Sequence, residues 1–466
     1  MVRVPVSEAA AESRTFIWAA LLALGACAVT IVSGTLAAVT YTDSEPWLRA
    51  ARLTLQQLRP VHETFAFAWV FLGGVAIVYF YLHRAFGPPS AAMQRRTVWQ
   101  IVLWTVAGVG ILVTLLSGRF TGREYLGYHP AFSILILTGW LLFAWNFFEQ
   151  SGISLANRPA YIYMWSIAIP LFVITYLEGH LYLFDVVSGR PVRDIAIQWK
   201  ANGTLVGSFN LLAYGSLMYV SGQIRGDESY AHSRTAFALL FVGVLNTFTN
   251  YGHHTYHLPQ TAWIHWISFV VSMLETIILA KVFLDLLILL RTASEAKAHR
   301  VSQWFIRSAT LWTFGMTALA IALAVPPLNA LIHGTHVVVA HSMGSMLGID
   351  SMILWAALAY GLEAVLGSQH PVVRGRRVRL AVPLLNVCLL VFLLSYLASG
   401  AAAGWARYVG PSAPDFSWLV MVFPSVMVLS GIALATSVLW IVAQWMAALW
   451  SALGPTDRAA AAATRV

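Results

Sequence analysis

Apolar and polar positions along this chain segregate on the scale of a lipid bilayer. Predominantly apolar runs of about 20 residues, the length needed to cross about 30 Å of hydrocarbon, recur near 15–39, 60–83, 97–117, 131–148, 161–177, 198–221, 232–252, 262–291, 304–326, 335–362, 379–399 and 416–447. The pattern predicts twelve transmembrane helices, and so an all-α polytopic membrane protein. The first run lacks an A-x-A-like cleavage site and exceeds the length of a signal h-region, so it is expected to remain as an anchor. No internal repeat interrupts the series, and residues 1–466 read as a single domain, with an alanine-rich tail after Asp457.

Composition agrees: 59% of the 466 residues are hydrophobic and 10% charged, against about 25% charged in a soluble domain. Lys and Arg accumulate in cytoplasmic loops. With the N-terminus inside, the inner segments hold Arg3, Arg14, Arg84, Arg95, Arg96, Arg158, Arg225, Arg234, Lys281, Arg291, Lys297, Arg300, Arg307, Arg374, Arg376, Arg377, Arg379, Arg458 and Arg465, against about nine on the outer side. An even helix number returns the C-terminus to the cytoplasm, and the expected location is the inner membrane of a bacterium. The net charge of +9 is thereby a topology signal, and the R-G-R-R-V-R run at 374–379 is an inner loop, with no nucleic-acid partner implied. Cys27 and Cys388 lie in apolar helices and imply neither a disulfide framework nor, without C-x-x-C-H, a covalent heme.

That topology assigns depths to the polar residues. Ten of the 14 histidines, at 62, 129, 180, 253, 254, 257, 265, 333, 336 and 341, fall in the outer half or outer loops. His62 opens helix two, His253 and His254 close helix seven, and His341 lies a turn or two into helix ten. Ionisable groups at membrane depth cost free energy, so a cluster drawn from several helices points to a metal or heme site. In H-G-T-H-V-V-V-A-H-S-M at 333–343, His341 and Met343 are two residues and about 200° apart on a helix, so they face opposite ways and suit two separate metal centres. Met is an axial heme ligand that raises the reduction potential, and it is equally a gap-filling core side chain.

With these residues the chain resembles the catalytic subunit of the heme-copper oxidase superfamily, and within it the nitric oxide reductase branch, over essentially all twelve helices. The resemblance implies that R-P-V-H places His62 on a low-spin heme b, that the helix-ten segment places His341 on a high-spin heme b, and that G-H-H-T places His253 and His254 on a non-heme metal. It implies that Arg59, one turn before His62, binds heme propionates, and that Glu124 in G-R-E-Y-L-G contributes to a calcium site, although Gly127 stands at that motif's second acidic position. Two departures stand out. The helix-six metal histidine is replaced by Asn202 in W-K-A-N-G-T, whose harder oxygen donor favours iron over copper. Met343 occupies the position of the second low-spin ligand, with His336 as the other candidate.

The choice of substrate rests on the groups around the non-heme metal. Oxygen-reducing relatives place a redox-active tyrosine at positions that are Val206 and Thr247 here, whereas reductases use buried glutamates. Glu275 in S-M-L-E-T-I-I-L matches the helix-eight glutamate and reads as the only mid-membrane carboxylate placed to serve the metal. The second family glutamate again falls on Val206. Glu178 and His180 in Y-L-E-G-H read as an outer loop, or as part of an outer proton path. The expected function is reduction of two NO to N2O and water, with electrons from a donor subunit, cytochrome c or cupredoxin on the outer face. An oxygen reductase using Tyr251 or Tyr256, an NO dismutase suggested by the altered iron ligand, and a non-catalytic heme-binding or NO-sensing subunit remain open alternatives.

Overall fold

The computed structural model describes residues 6–42, 46–152, 156–292, 299–376, 378–410 and 417–454. Arg3, Lys297, Arg377, Arg458 and Arg465, used above for orientation, and the alanine-rich tail lie outside them. Among the described residues there is no strand. The apolar runs become long helices: α1 (Val6–Val39), α2 (Leu55–Phe86), α3 (Ala91–Leu116), α4 (Pro130–Ser151), α5 (Ala160–Gly179), α6 (Pro191–Arg225), α7 (Arg234–Thr249), α8 (Ala262–Thr292), α9 (Arg300–Ala324), α10 (His336–Leu366), α11 (Ala381–Val409) and α12 (Ser417–Ala452).

By length and composition, nine candidate membrane spans are found among the described residues, and α6, α7 and α8 are the three long helices outside that set. The expected count of twelve spans therefore rests on these three. α7 is apolar but only 16 residues long. α6 carries Asp194, Lys200 and Asn202, and α8 carries Glu275, Lys281 and Asp285 within a largely apolar sequence. Polar groups at membrane depth are costly, and these helices hold most of the candidate metal chemistry.

Local signals set the helix ends. Ser90 and Ser233 cap α3 and α7 by accepting from Met93 N and Ala236 N, and Pro130 and Pro191 open α4 and α6, where a missing N–H costs nothing. α2 is the central rod. A Cβ at Gly73 or Gly74 would lie 3.0 Å from Leu354 on α10 or from Leu212 on α6, so this glycine pair seats α2 between those helices. The outward stripe Val98, Val106, Val109 and Val113 of α3 is exposed apolar surface at helical spacing, which faces lipid in a membrane protein. Alternating helix direction puts the starts of α2, α8 and α10 and the ends of α1 and α7 at one end of the bundle. His62, His253, His254, His333 and His341 all lie toward that end.

α10 is not uniform. It is α-helical from His336 to Met343, π-helical from Gly344 to Ser351, and α-helical again from Met352 to Leu366. Gly344 and Gly348 lie against Met316 and Trp312 of α9, where any Cβ would collide. The Ser351 hydroxyl donates to Met346 O at 2.7 Å, five residues back, and accepts from Trp69 Nε1 at 2.8 Å. Those bonds pin the wide turn to α2.

Candidate heme and metal centre

His62 lies in the second turn of α2, just after Pro60. Its ring is pressed against α1: a Cβ on Gly34 would lie 2.5 Å from Nδ1, so glycine is required there. Nδ1 is 2.9 Å from Thr30 O. A carbonyl only accepts, so Nδ1 carries the proton and the Nε2 lone pair is free for a metal, the usual arrangement by which an outer partner orients a ligating histidine.

One turn earlier, Arg59 Nε donates to Glu63 Oε1 at 2.6 Å and Nη2 to Glu124 Oε1 at 3.0 Å. Burial, with the nearby Glu63 carboxyl, pushes the Glu124 carboxyl up, against the pull of Arg59. The cation beside Glu124 in this arrangement is thus the guanidinium. Glu63, which the sequence reading passed over, completes the group. Its signal was its place one turn after Arg59 on the same face.

The histidine pair sits on a short helix, Tyr251–His254, that follows α7 after Asn250. Two contacts bring α6 to it. Trp199 stacks on His254 with centroids 5.1 Å apart and an interplanar angle of 2°. At Gly203 a Cβ would overlap Asn250 Oδ1, and Asn250 Nδ2 donates to Gly203 O at 3.2 Å. Asn202, adjacent to Gly203, is 5% exposed and its Nδ2 has no hydrogen-bond partner. The rings of His253 and His254 are 4.3 Å apart.

His253 Nδ1 is 3.2 Å from both Ser268 Oγ and Ser272 Oγ. The Ser268 hydroxyl donates to Asn250 O at 3.1 Å and that of Ser272 to Asn246 Oδ1 at 3.2 Å. Each serine has one proton, so with both committed, Nδ1–H is the donor and Nε2 is again free. The line continues, since Asn246 Nδ2 donates to Glu275 Oε2. From His253 through Ser272 and Asn246 to Glu275, every bond points its donor toward the carboxyl group. The sequence reading missed Asn246, Ser268, Ser272 and Trp199. Small polar residues in an apolar helix carry no motif of their own.

His341 lies on the regular part of α10, and its Nδ1 is buried without a partner. Met343, two residues on in the same α-helical stretch, is partly buried against the core. His336 is held elsewhere: its Nδ1 is 3.0 Å from Ser399 Oγ, and its ring stacks on Phe423 and meets Tyr396 edge-on. His333 and His257 face each other at 4.6 Å. Burial, then His257 and Arg407, hold His333 below its ordinary range. Glu178 and His180 are fully engaged, Glu178 with Lys200 at 2.7 Å and His180 with Ser133 and Tyr176 O. Among the described residues no three His, Cys, Asp or Glu side chains form a metal-binding group. A set of two imidazoles needs a third donor of another kind, which the asparagine oxygen can be. Oriented Nε2 atoms on His62 and His253 and an orphaned ring nitrogen on His341 fit heme and metal ligation.

Residues 14–434 match the family described as Cytochrome C and Quinol oxidase polypeptide I. The chain is 24% identical over 347 residues to the Cbb3-type cytochrome c oxidase subunit CcoN1 of Stutzerimonas stutzeri, covering 70% of this chain and 69% of the relative. It superposes on a heme-copper terminal oxidase dimer solved by cryo-EM with a TM-score of 0.74 at 13% identity, over 96% of this chain and 84% of that one. With the match extending from α1 into α12, the chain belongs to the cytochrome c and quinol oxidase polypeptide I family, the subunit I superfamily of the heme-copper oxidases.

Proposed function

We propose that this chain is the catalytic subunit of a membrane-bound nitric oxide reductase, taking two NO, two electrons and two protons to N2O and water. The family is one of oxidoreductases that bind hemes and a metal centre in a membrane and work with electron donors. The observation that carries the finer reading is the directed line from His253 to Glu275. A buried acidic residue tied to the metal histidines is the arrangement expected of a reductase, and Val206 and Thr247 stand where a tyrosine is expected in an oxygen-reducing relative.

When bound, two b-type hemes and a non-heme iron supply electron storage and the surface on which substrate is reduced. His62, with Met343, would hold the low-spin heme, and Arg59 its propionates. His341 would hold the high-spin heme. Asn202, His253 and His254 would hold the iron, and Glu124 would take part in any calcium site. Glu275, through Asn246 and Ser272, would make the His253 imidazole a stronger donor to the iron. An amide does not relay protons readily, so the Asn246 link orients and polarises, and Glu275 Oε1, the oxygen not bonded to Asn246, is the atom that would take up and give up a proton. Electrons enter from a donor subunit, cytochrome c or cupredoxin on the outer face, both termini being cytoplasmic in a bacterial inner membrane.

The likeness to CcoN1 favours oxygen reduction as the second reading. That reading needs a tyrosine beside the histidines, and the Tyr256 hydroxyl is given to Ala324 O at 2.7 Å. Turnover of the purified protein with NO and with O2, alongside a pyridine hemochrome count, tests the proposal. NO consumption with N2O formation and two noncovalent hemes per chain are expected. Rapid O2 reduction with negligible NO consumption would move the assignment to an oxygen reductase, and one heme or none would remove the catalytic reading.

A further inference from the structure

The loop between α3 and α4 folds back onto the end of α2 that carries His62. Thr121 N donates to Gly127 O at 2.8 Å and Thr121 Oγ1 to Leu126 O at 3.0 Å, which closes the turn holding Glu124. The Arg123 guanidinium donates from both Nη atoms to the Asp194 carboxylate and lies over the Tyr182 ring at 4.4 Å, so the turn is tied to the start of α6. Tyr125, at a φ of 62°, packs its ring against Phe67 of α2 with centroids 4.5 Å apart. Gly127 makes the closest approach to α2: a Cβ there would lie 3.3 Å from Pro60 Cβ and 3.3 Å from Arg123 O. A side chain at 127 would have to push the turn away from Pro60.

Gly127 stands at the second acidic position of the calcium motif that G-R-E-Y-L-G resembles. Its lack of a side chain lets the turn close until Glu124 Oε1 is 3.0 Å from Arg59 Nη2, while Arg59 Nε meets Glu63 Oε1 at 2.6 Å. The Glu124 and Glu63 side chains are only 27% and 18% exposed, so water serves these carboxylates poorly and a cation is called for. Calcium takes six to eight oxygen ligands at about 2.3–2.6 Å. Here one oxygen of each glutamate is already held by the guanidinium, and the second acid of the motif is missing. A divalent ion on the other oxygen of Glu124 would also sit beside a like charge. The donor set does not fit calcium. It fits a planar guanidinium, whose fork of donors suits two carboxylates at once.

We propose that an internal cation stands in calcium's place: Arg59, bridging Glu63 and Glu124, fastens the α3–α4 loop to α2 one turn from His62, and the protein neither retains nor needs calcium there. Among the described residues no acceptor meets Arg59 Nη1, which leaves that group for the heme propionates assigned to this side chain. One residue then joins loop, helix and heme edge. Gly127 is what permits the exchange, because an acidic side chain in its place would both hold the turn off Pro60 and supply the ligand that calcium lacks.

The inference rests on the family resemblance and not on the choice of NO as substrate, and its test reads metal and heme without turnover. Full-length wild type, Arg59→Gln, Arg59→Gln with Glu124→Gln, and Gly127→Glu are purified with their hemes. Calcium is measured by elemental analysis after EGTA and after millimolar calcium, and the low-spin heme spectrum and potential are recorded in both states. The wild type is expected to hold no stoichiometric calcium and to show the same spectrum and potential throughout. Arg59→Gln uncovers both carboxylates and should take up about one calcium per chain in the millimolar range, with a low-spin spectral shift that EGTA reverses. Adding Glu124→Gln should abolish that uptake, and Gly127→Glu should gain calcium with Arg59 in place. Stoichiometric calcium in the wild type whose removal shifts the heme spectrum overturns the proposal. So does an Arg59→Gln variant that keeps its hemes and binds no calcium. If Arg59→Gln loses its hemes, a Gly127→Glu variant without calcium is the overturning result. A wild type that reduces O2 but not NO refutes the proposed activity and leaves this test in place.

Discussion

Replacing Glu275 with Gln removes one ionisable carboxyl group while leaving an oxygen to accept from Asn246 Nδ2. The effect can be sized from the hydrogen-bonded line. His253 Nδ1 to Ser272 and Ser272 to Asn246 are each 3.2 Å, and the width of the amide and one more bond put the carboxylate no more than about 11 Å from the imidazole. At an effective dielectric of about 20, a unit charge at that distance contributes about 1.5 kcal/mol, and a divalent ion about 3 kcal/mol. The variant should bind its non-heme metal up to about a hundredfold more weakly, the full effect appearing at a pH where the wild-type carboxyl is ionised. It should lose nearly all NO reduction, because the proton-carrying group is gone as well. Both hemes should remain, since neither His62 nor His341 touches this line. Metal content after dialysis against a graded chelator, read beside NO turnover and the heme spectrum, is the assay. A variant that keeps its metal at wild-type chelator concentrations and turns over NO within about twofold of wild type would show that Glu275 is only a packing residue.

Three further substitutions probe the ligand set. Asn202→His should tighten metal retention in the same chelator titration without altering the fold, because imidazole is the stronger donor; weaker retention would place the third donor elsewhere. Met343→His should lower the low-spin heme potential in a redox titration, since imidazole favours the ferric state; an unchanged potential would make Met343 packing. Gly34→Ala should lower low-spin heme occupancy by about half or more, because its Cβ would fall 2.5 Å from His62 Nδ1; a normal heme spectrum would show that the ring does not need this approach.

The elements were legible because hydropathy is imposed by the solvent. α1 to α5 and α9 to α12 follow the apolar runs closely, while α6 was found through a more polar run and α7 through a short one, each between recognisable loops. The histidines were legible because adjacent imidazoles at a helix end have no cheap apolar explanation. Asp350, buried in α10, was as unusual in its apolar run as Glu275, but only Glu275 lay at a position that the resemblance singles out. Glu178 and His180, read as an outer loop or part of an outer proton path, hold Lys200 and Ser133. What a polar group is bonded to is a property of the neighbouring helix, and no periodicity within one segment contains it. The glycines at 34 and 203 were opaque for the same reason: their meaning lies in His62 and Asn250, far along the chain.

The π-helical stretch of α10 also works as a gear between the two halves of that helix. A wide turn accommodates a residue more than a regular helix would, and each residue of an α-helix advances about 100°. The inner half, wedged through Leu354 and Trp355 against α2 and α9, therefore does not dictate the heading of the outer half by simple helical count. Deleting one residue between Gly344 and Ser351 would restore regular winding and swing His341 and Met343 together by about 100°, away from the two heme positions proposed for them, with hardly any change in composition or hydropathy. The length of this segment, more than its side chains, fixes which way His341 and Met343 look.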